Sequence, residues 1–110
     1  MAPTHVLLSE VEGDTWRRRI VSGAALGEVE RWLADVEARP RLPGPVSGKP
    51  LAWLDFTVEA QPGHMQTVRS VGLLTDVGRV LDRAVSAQDL EHLTAIFDRR
   101  GQPYTGTIER

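Results

Sequence analysis

The sequence predicts an α+β domain: a mostly antiparallel sheet of about five strands with two helices packed on one face, in the order ββαβββα. Three observations carry this expectation. Two stretches alternate apolar and polar residues around glycine-bearing turns, the mark of half-buried hairpins. Two others repeat apolar residues every three or four positions behind a serine, the mark of capped amphipathic helices. The composition, 41% hydrophobic and 25% charged over 110 residues, supports one core in a single domain, residues 1–110.

The first hairpin is "THVLLSEVEGDTWRRRIVS", residues 4–22, turning at Gly13-Asp14, where glycine at the first position suits a type II′ turn. That register sets Val11 opposite Trp16, Glu10 opposite Arg17 and Leu7 opposite Ile20. Leu7, Val11, Trp16 and Ile20 then share one face. Because strand side chains alternate, Arg17 and Arg19 share the other face with Glu10, while Arg18 stands beside Ser9 on the Trp16 face. The three consecutive arginines are therefore split, and Arg17 is expected to meet the carboxylate of Glu10.

A helix follows from Ser22 to Arg39, with Leu26, Val29, Leu33 and Val36 as its buried stripe, Trp32 alongside, and Pro40 as the stop. Gly27 inside it costs about 1 kcal/mol against alanine, and close packing against a neighbour would account for it. Residues 40–50, "PRLPGPVSGKP", carry four prolines and two glycines and form a stiff connection, either a plain crossover or part of a binding surface.

The second hairpin spans 51–74. Ala52, Leu54, Phe56, Val58 and Ala60 form its apolar face, and Trp53, Asp55, Thr57 and Glu59 the opposite one. Pro62-Gly63 marks the turn, and because a type II pair twists against a tight hairpin, a four-residue loop is expected. Residues 75–84 fit either a helical stripe or a strand, and Asp-x-Gly before "RVL" favours a third strand. Residues 85–101 form the second helix, with Ser86 as cap, Asp89 closing the capping box, Leu90, Leu93, Ile96 and Phe97 facing the core, and Gly101 at its end. Val-Ser-x-x-x-Leu opens both helices, which the hydrophobic staple explains without an internal duplication. The tail beyond Gly101 has room for one edge strand.

Composition excludes several function classes. The chain has no cysteine, so it has no disulfide, thiolate nucleophile or cysteine-based zinc site. Net charge is −2, and only Lys49 of 13 basic residues is a lysine, a skew that a GC-rich bacterial genome produces. No apolar run approaches the ~20 residues of a membrane span, and no signal peptide is evident, so a cytoplasmic protein is expected. His5, His64 and His92 are scattered, without metal-ligand spacing. Asp55 and Glu59 lie about 13 Å apart along a strand, too far to act as a catalytic pair, and no phosphate-binding loop occurs. No cofactor or metal is implied. Nucleic acid is not the expected partner, because net charge is negative and the arginines alternate.

What remains is a surface. With the helices on the Leu54 face, the opposite face presents Leu51, Trp53, Val68 and Leu74 among Asp55, Thr57, Glu59 and Ser70. An aromatic ringed by polar groups is how many interfaces look. Trp53, Asp55, Thr57, Glu59 and Val68 are the predicted partner-binding residues, unless the 40–50 connection or the tail covers Trp53. The leading expectation is a non-enzymatic protein-binding domain, an inhibitor or immunity-type protein. The alternative is a small cofactor-free enzyme or ligand-binding domain with a pocket between sheet and helices, using His64, His92, Asp55 or Arg69. A third reading is homodimerisation through the same face.

Residues 85–109, "VSAQDLEHLTAIFDRRGQPYTGTIE", resemble the closing segment of the first immunity-protein family of bacterial polymorphic toxin systems, through a capped helix followed by Gly101, Pro103 and a short strand at Ile108. "SGAALGEVERWLADV" and "SVGLLTDVGRVL" are similar to that family's earlier helix and central hairpin. The chain lacks the longer strand region and final tryptophan of such proteins. The resemblance implies neutralisation of a toxin by direct binding, without catalysis.

Overall fold

A computed structural model describes residues 1–45 and 48–110; Val46 and Ser47 of the proline-rich connection lie outside the described residues. The elements are β1 (His5–Glu12), β2 (Thr15–Ser22), α1 (Gly23–Glu37), β3 (Ala52–Gln61), β4 (His64–Leu74), β5 (Arg79–Val80), β6 (Arg83–Ala84), α2 (Ala87–Arg100), β7 (Gln102–Pro103) and β8 (Thr107–Glu109). The strands form one sheet in the order β6-β5-β4-β3-β1-β2-β7, with β8 added parallel to β4. The α+β class and the two helices stand as expected. Among the described residues the strand count is eight rather than about five, and the order is ββαββββαββ.

The extra strands have local causes. Residues 79–84 make a miniature hairpin instead of one strand, turning through Leu81-Asp82 with Leu81 at φ 52°. The tail makes two strands, because it pairs first with β2 (Ile20 with Gln102, Arg19 with Pro103) and then with β4 (Met65 with Ile108). The second hairpin turns through Pro62-Gly63 alone, correcting the four-residue loop: a register shift between Glu59 and Gln61 absorbs the unfavourable twist.

Helix–sheet burial forms the core. Val6, Leu8, Leu54, Phe56, Val71 and Leu73 from the sheet meet Val29, Leu33 and Val36 of α1 and Leu93, Ile96 and Phe97 of α2. Each such side chain contributes about 1.5–3 kcal/mol relative to exposure. Ser86 and Asp89 complete the capping box of α2, at 3.0 and 2.7 Å. Ser22 stands at the N-cap of α1, but its hydroxyl makes no capping bond. A Cβ at Gly27 would meet only the Arg31 guanidinium, at 3.6 Å, so packing does not require that glycine.

The second face of the sheet is partly covered. Residues 101–110 leave α2, pair with β2 and reach β4. The Tyr104 hydroxyl lies 2.8 Å from the Thr107 carbonyl and 3.1 Å from that of Gly63. Gly106 is needed there, since a Cβ would collide with the Gly63 carbonyl oxygen and the Tyr104 ring. On this face Leu7, Asp55 and Thr57 are fully buried.

Candidate partner-binding face

The first hairpin forms in the expected register, with Val11 opposite Trp16 and Glu10 opposite Arg17. The chain then places β3 against β1, which carries the apolar row onward. The Val11 amide donates to the Leu51 carbonyl at 3.1 Å, and the Leu51 amide to Leu73 at 3.2 Å. Continuing the registers Glu10–Ala52 and Ala52–Leu73 by one residue sets Trp16, Val11, Leu51 and Leu74 in one line across four strands. Trp16, Val11 and Leu51 remain 42, 44 and 39% exposed.

The next row inward is Arg18, Ser9, Trp53 and Gly72. Trp53 is half-buried. Gly72 lets it lie flat, because a Cβ there would come within 2.9 Å of Pro50 Cγ and 3.3 Å of the Trp53 ring. The Arg110 guanidinium covers the indole from above, 5.3 Å from its centroid. Pro50, Trp53, Gly72, Leu74 and Leu81 bound a shallow apolar cleft of about 450 Å³.

The third row holds Asp55, whose carboxylate is wholly buried. It accepts from Arg110 Nη2 at 2.9 Å, from Arg110 Nε at 3.2 Å, and from the Ser70 hydroxyl. The hydrogen bonds to Asp55 raise the Arg110 pKa against the opposing effect of burial. Asp55 is therefore satisfied within the chain and holds the tail over the sheet.

The opening arginines divide by role. Arg19 is buried and bonds Glu10 at 2.9 Å and Asp98, with Phe97 beneath it at 5.9 Å. Burial opposes its charge, but the bonds to Asp98 and Glu10 outweigh that and leave its pKa raised. Glu10 thus serves Arg19, diagonally placed, and not Arg17, the residue directly opposite. Arg17 stays exposed.

The five residues expected to form one exposed surface do not do so. Trp53 keeps its place on the open face. Asp55 and Thr57 share that face but are buried, the Thr57 hydroxyl lying 3.4 Å from the His5 carbonyl. Glu59 is exposed near Tyr104, at the far end from Trp16. Val68 falls in the bulge between the pairs Phe56–Arg69 and Thr57–Thr67, which turns it to the helix side, where it lines a cleft of about 420 Å³ with Leu33, Phe56 and Arg69. Trp16, Val11 and Arg18 were missing from the expected site. Their shared face was readable in the hairpin, but the neighbouring of β1 and β3 was not.

The residues of the ligand-binding alternative lie apart. His64 is exposed at the hairpin tip, with Nδ1 2.7 Å from the Thr107 hydroxyl. His92 is exposed on α2, and Arg69 bonds Glu37 at 2.9 Å across the α1 cleft. Among the described residues no three His, Asp or Glu side chains are grouped to hold a metal ion. Among the described residues no helix is long and apolar enough to cross a membrane. Compared with known proteins, the chain matches no family model, no curated protein and no solved structure.

Proposed function

We propose that the protein is a non-enzymatic protein-binding domain that acts through the uncovered end of its sheet. The observation that carries this reading is the row Trp16–Val11–Leu51, three large apolar side chains left about two-fifths exposed side by side on neighbouring strands, whereas Val68, equally exposed, stands on the helix side. Trp53, partly open behind that row, belongs to the same surface. Aromatic residues backed by a rigid sheet lose little entropy on binding and anchor many interfaces. In the inhibitor or immunity-type form of this reading, implied by the resemblance of the closing helix, the domain neutralises its partner in the cytoplasm by occlusion.

The test is affinity capture from native cells with the wild-type chain and the Trp16→Asp variant. One stoichiometric protein bound by the wild type and lost from Trp16→Asp, at unchanged far-ultraviolet dichroism, supports the reading. Equal capture by both variants refutes this placement of the surface. Ligand binding in the cleft between α1 and the sheet is the second reading, favoured by its volume of about 420 Å³ and the Arg69–Glu37 pair at its rim. A saturable rise in Tm with a small molecule, abolished by Arg69→Ala, would establish it instead.

A further inference from the structure

Taking that end of the sheet as a partner-binding surface, we infer that it receives an acidic, extended segment of a protein partner, with one carboxylate seated on Arg18 and Ser9 between Trp16 and Trp53. Ser9 is paired with Arg18 on one side and Trp53 on the other. It is 2% exposed, and its hydroxyl has no hydrogen-bond partner. The Nε of Arg18 is likewise buried without an acceptor. Two unsatisfied donors thus lie on adjacent strands. A carboxylate accepts from both a hydroxyl and a guanidinium, and charge assistance makes such bonds strong.

Among the described residues no carboxylate pairs with Arg18 or Ser9, and Glu59 on this face lies exposed beside Tyr104. Glu10 and Glu12 point to the helix side by strand alternation, and Glu10 is held by Arg19. Asp55 is held by Arg110 and Ser70, and Asp14 lies in the turn. The face around Trp16 therefore carries an unneutralised cation among apolar side chains. Its complement is an acidic residue next to an apolar one, repeated at strand spacing.

Backbone geometry favours an extended segment. The Tyr104 amide donates to the Arg18 carbonyl at the outer edge of β2. In an antiparallel strand the groups of residue i−2 face the same way, so the Trp16 amide and carbonyl lie on the edge that the tail has just left. A strand added there would align a side chain with Trp16, while the edge beside Arg18 is already taken by Tyr104. A second copy fits less well, because its matching face brings the same unpaired Arg18 and no free carboxylate to seat on it. Nucleic acid fits less well, because one unpaired arginine is far short of the run of phosphate contacts on which such binding rests.

The experiment is an amide and indole NMR titration of the full chain with two capped pentapeptides, Glu-Leu-Glu-Leu-Glu and Lys-Leu-Lys-Leu-Lys. The Glu peptide is expected to shift the Trp16 and Trp53 indole signals and the Ser9 and Arg18 amides saturably, and the Lys peptide is not. Arg18→Ala, its fold checked by the dispersion of the same spectrum, is expected to weaken the Glu peptide about tenfold. Arg18→Glu is expected to reverse the preference. Equal binding of both peptides at these signals overturns the acidic preference and leaves the protein-binding reading standing. No shift with either peptide at about 1 mM overturns the inference, and the reading then rests on the Trp16→Asp capture. Tighter saturation by a single-stranded oligonucleotide, or concentration-dependent self-association at the same signals, also overturns it.

Discussion

Asp55 is a wholly buried carboxylate whose cation is Arg110, itself half exposed. Removing the cation leaves a buried charge held by Ser70 alone, which costs more than the pair contributes over an apolar replacement. Arg110→Ala is expected to lower stability by about 2 kcal/mol, and Asp55→Asn with Arg110→Ala by less than the sum of the single changes. Urea unfolding of the four proteins measures this. Leu81 poses the opposite case. It sits at φ 52° in a two-residue turn, where a side chain costs about 1–2 kcal/mol, yet it stays 40% exposed beside Trp53 and Pro50. Leu81→Gly should therefore raise stability by about 1 kcal/mol while weakening capture of the partner. A stabilised variant that binds undiminished would remove Leu81 from the surface.

At the scale of elements, a polar cluster joins the two helices, apart from the Arg99–Glu28 ion pair at 3.8 Å. Arg39, just beyond α1, bonds both Asp89 oxygens, and the Trp32 indole donates to the Asp89 carbonyl at 2.8 Å. The Arg39 guanidinium, helped by the Ser86 amide, holds the Asp89 carboxyl well below the usual carboxylate range. A carboxylate depressed in the folded state contributes stability that is complete above its unfolded pKa of about 4 and lost as pH falls toward the folded value. Asp89→Asn should flatten the stability–pH curve below about pH 4 and leave it parallel to wild type above. Loss of the cap in Ser86→Ala should cost about 1 kcal/mol. The tail is equally testable: Gly106→Ala drives a methyl into the Gly63 carbonyl and Tyr104 ring, at an expected cost of about 1–3 kcal/mol, with faster exchange of the Thr107 amide. Both helices and the first hairpin were legible because their patterns are local: the Ser86 capping box, the Leu26–Val36 stripe and the Gly13 turn act within a few residues. The bulge at Val68 and the small strands at 79–84 and 102–109 were not. A bulge needs the partner strand to define it, and two-residue strands leave no periodicity to read.

Over the whole molecule, the sheet has one face sealed by helices and the other divided between a strapped end and an open end. Sequence alternation told the faces apart, so Trp53 and Asp55 fell on the side away from α1, as expected. It did not tell which end the tail would cross. Asp55 and Thr57 look like surface polar residues by pattern, and the pairing of β8 with β4 and the reach of Arg110 bury them. The β1–β3 pairing is a contact between distant stretches of chain, and it alone joins Val11 and Trp16 to Leu51. The central claim is that this junction meets another protein. It is tested most directly by a photo-crosslinking amino acid at Leu51 in the native cell, with the same group at His92 on the outside of α2 as control. The structure predicts a discrete protein adduct from position 51, lost when Trp16→Asp is added, and none from position 92. Adducts from position 92 with none from 51, or none from either, would contradict it.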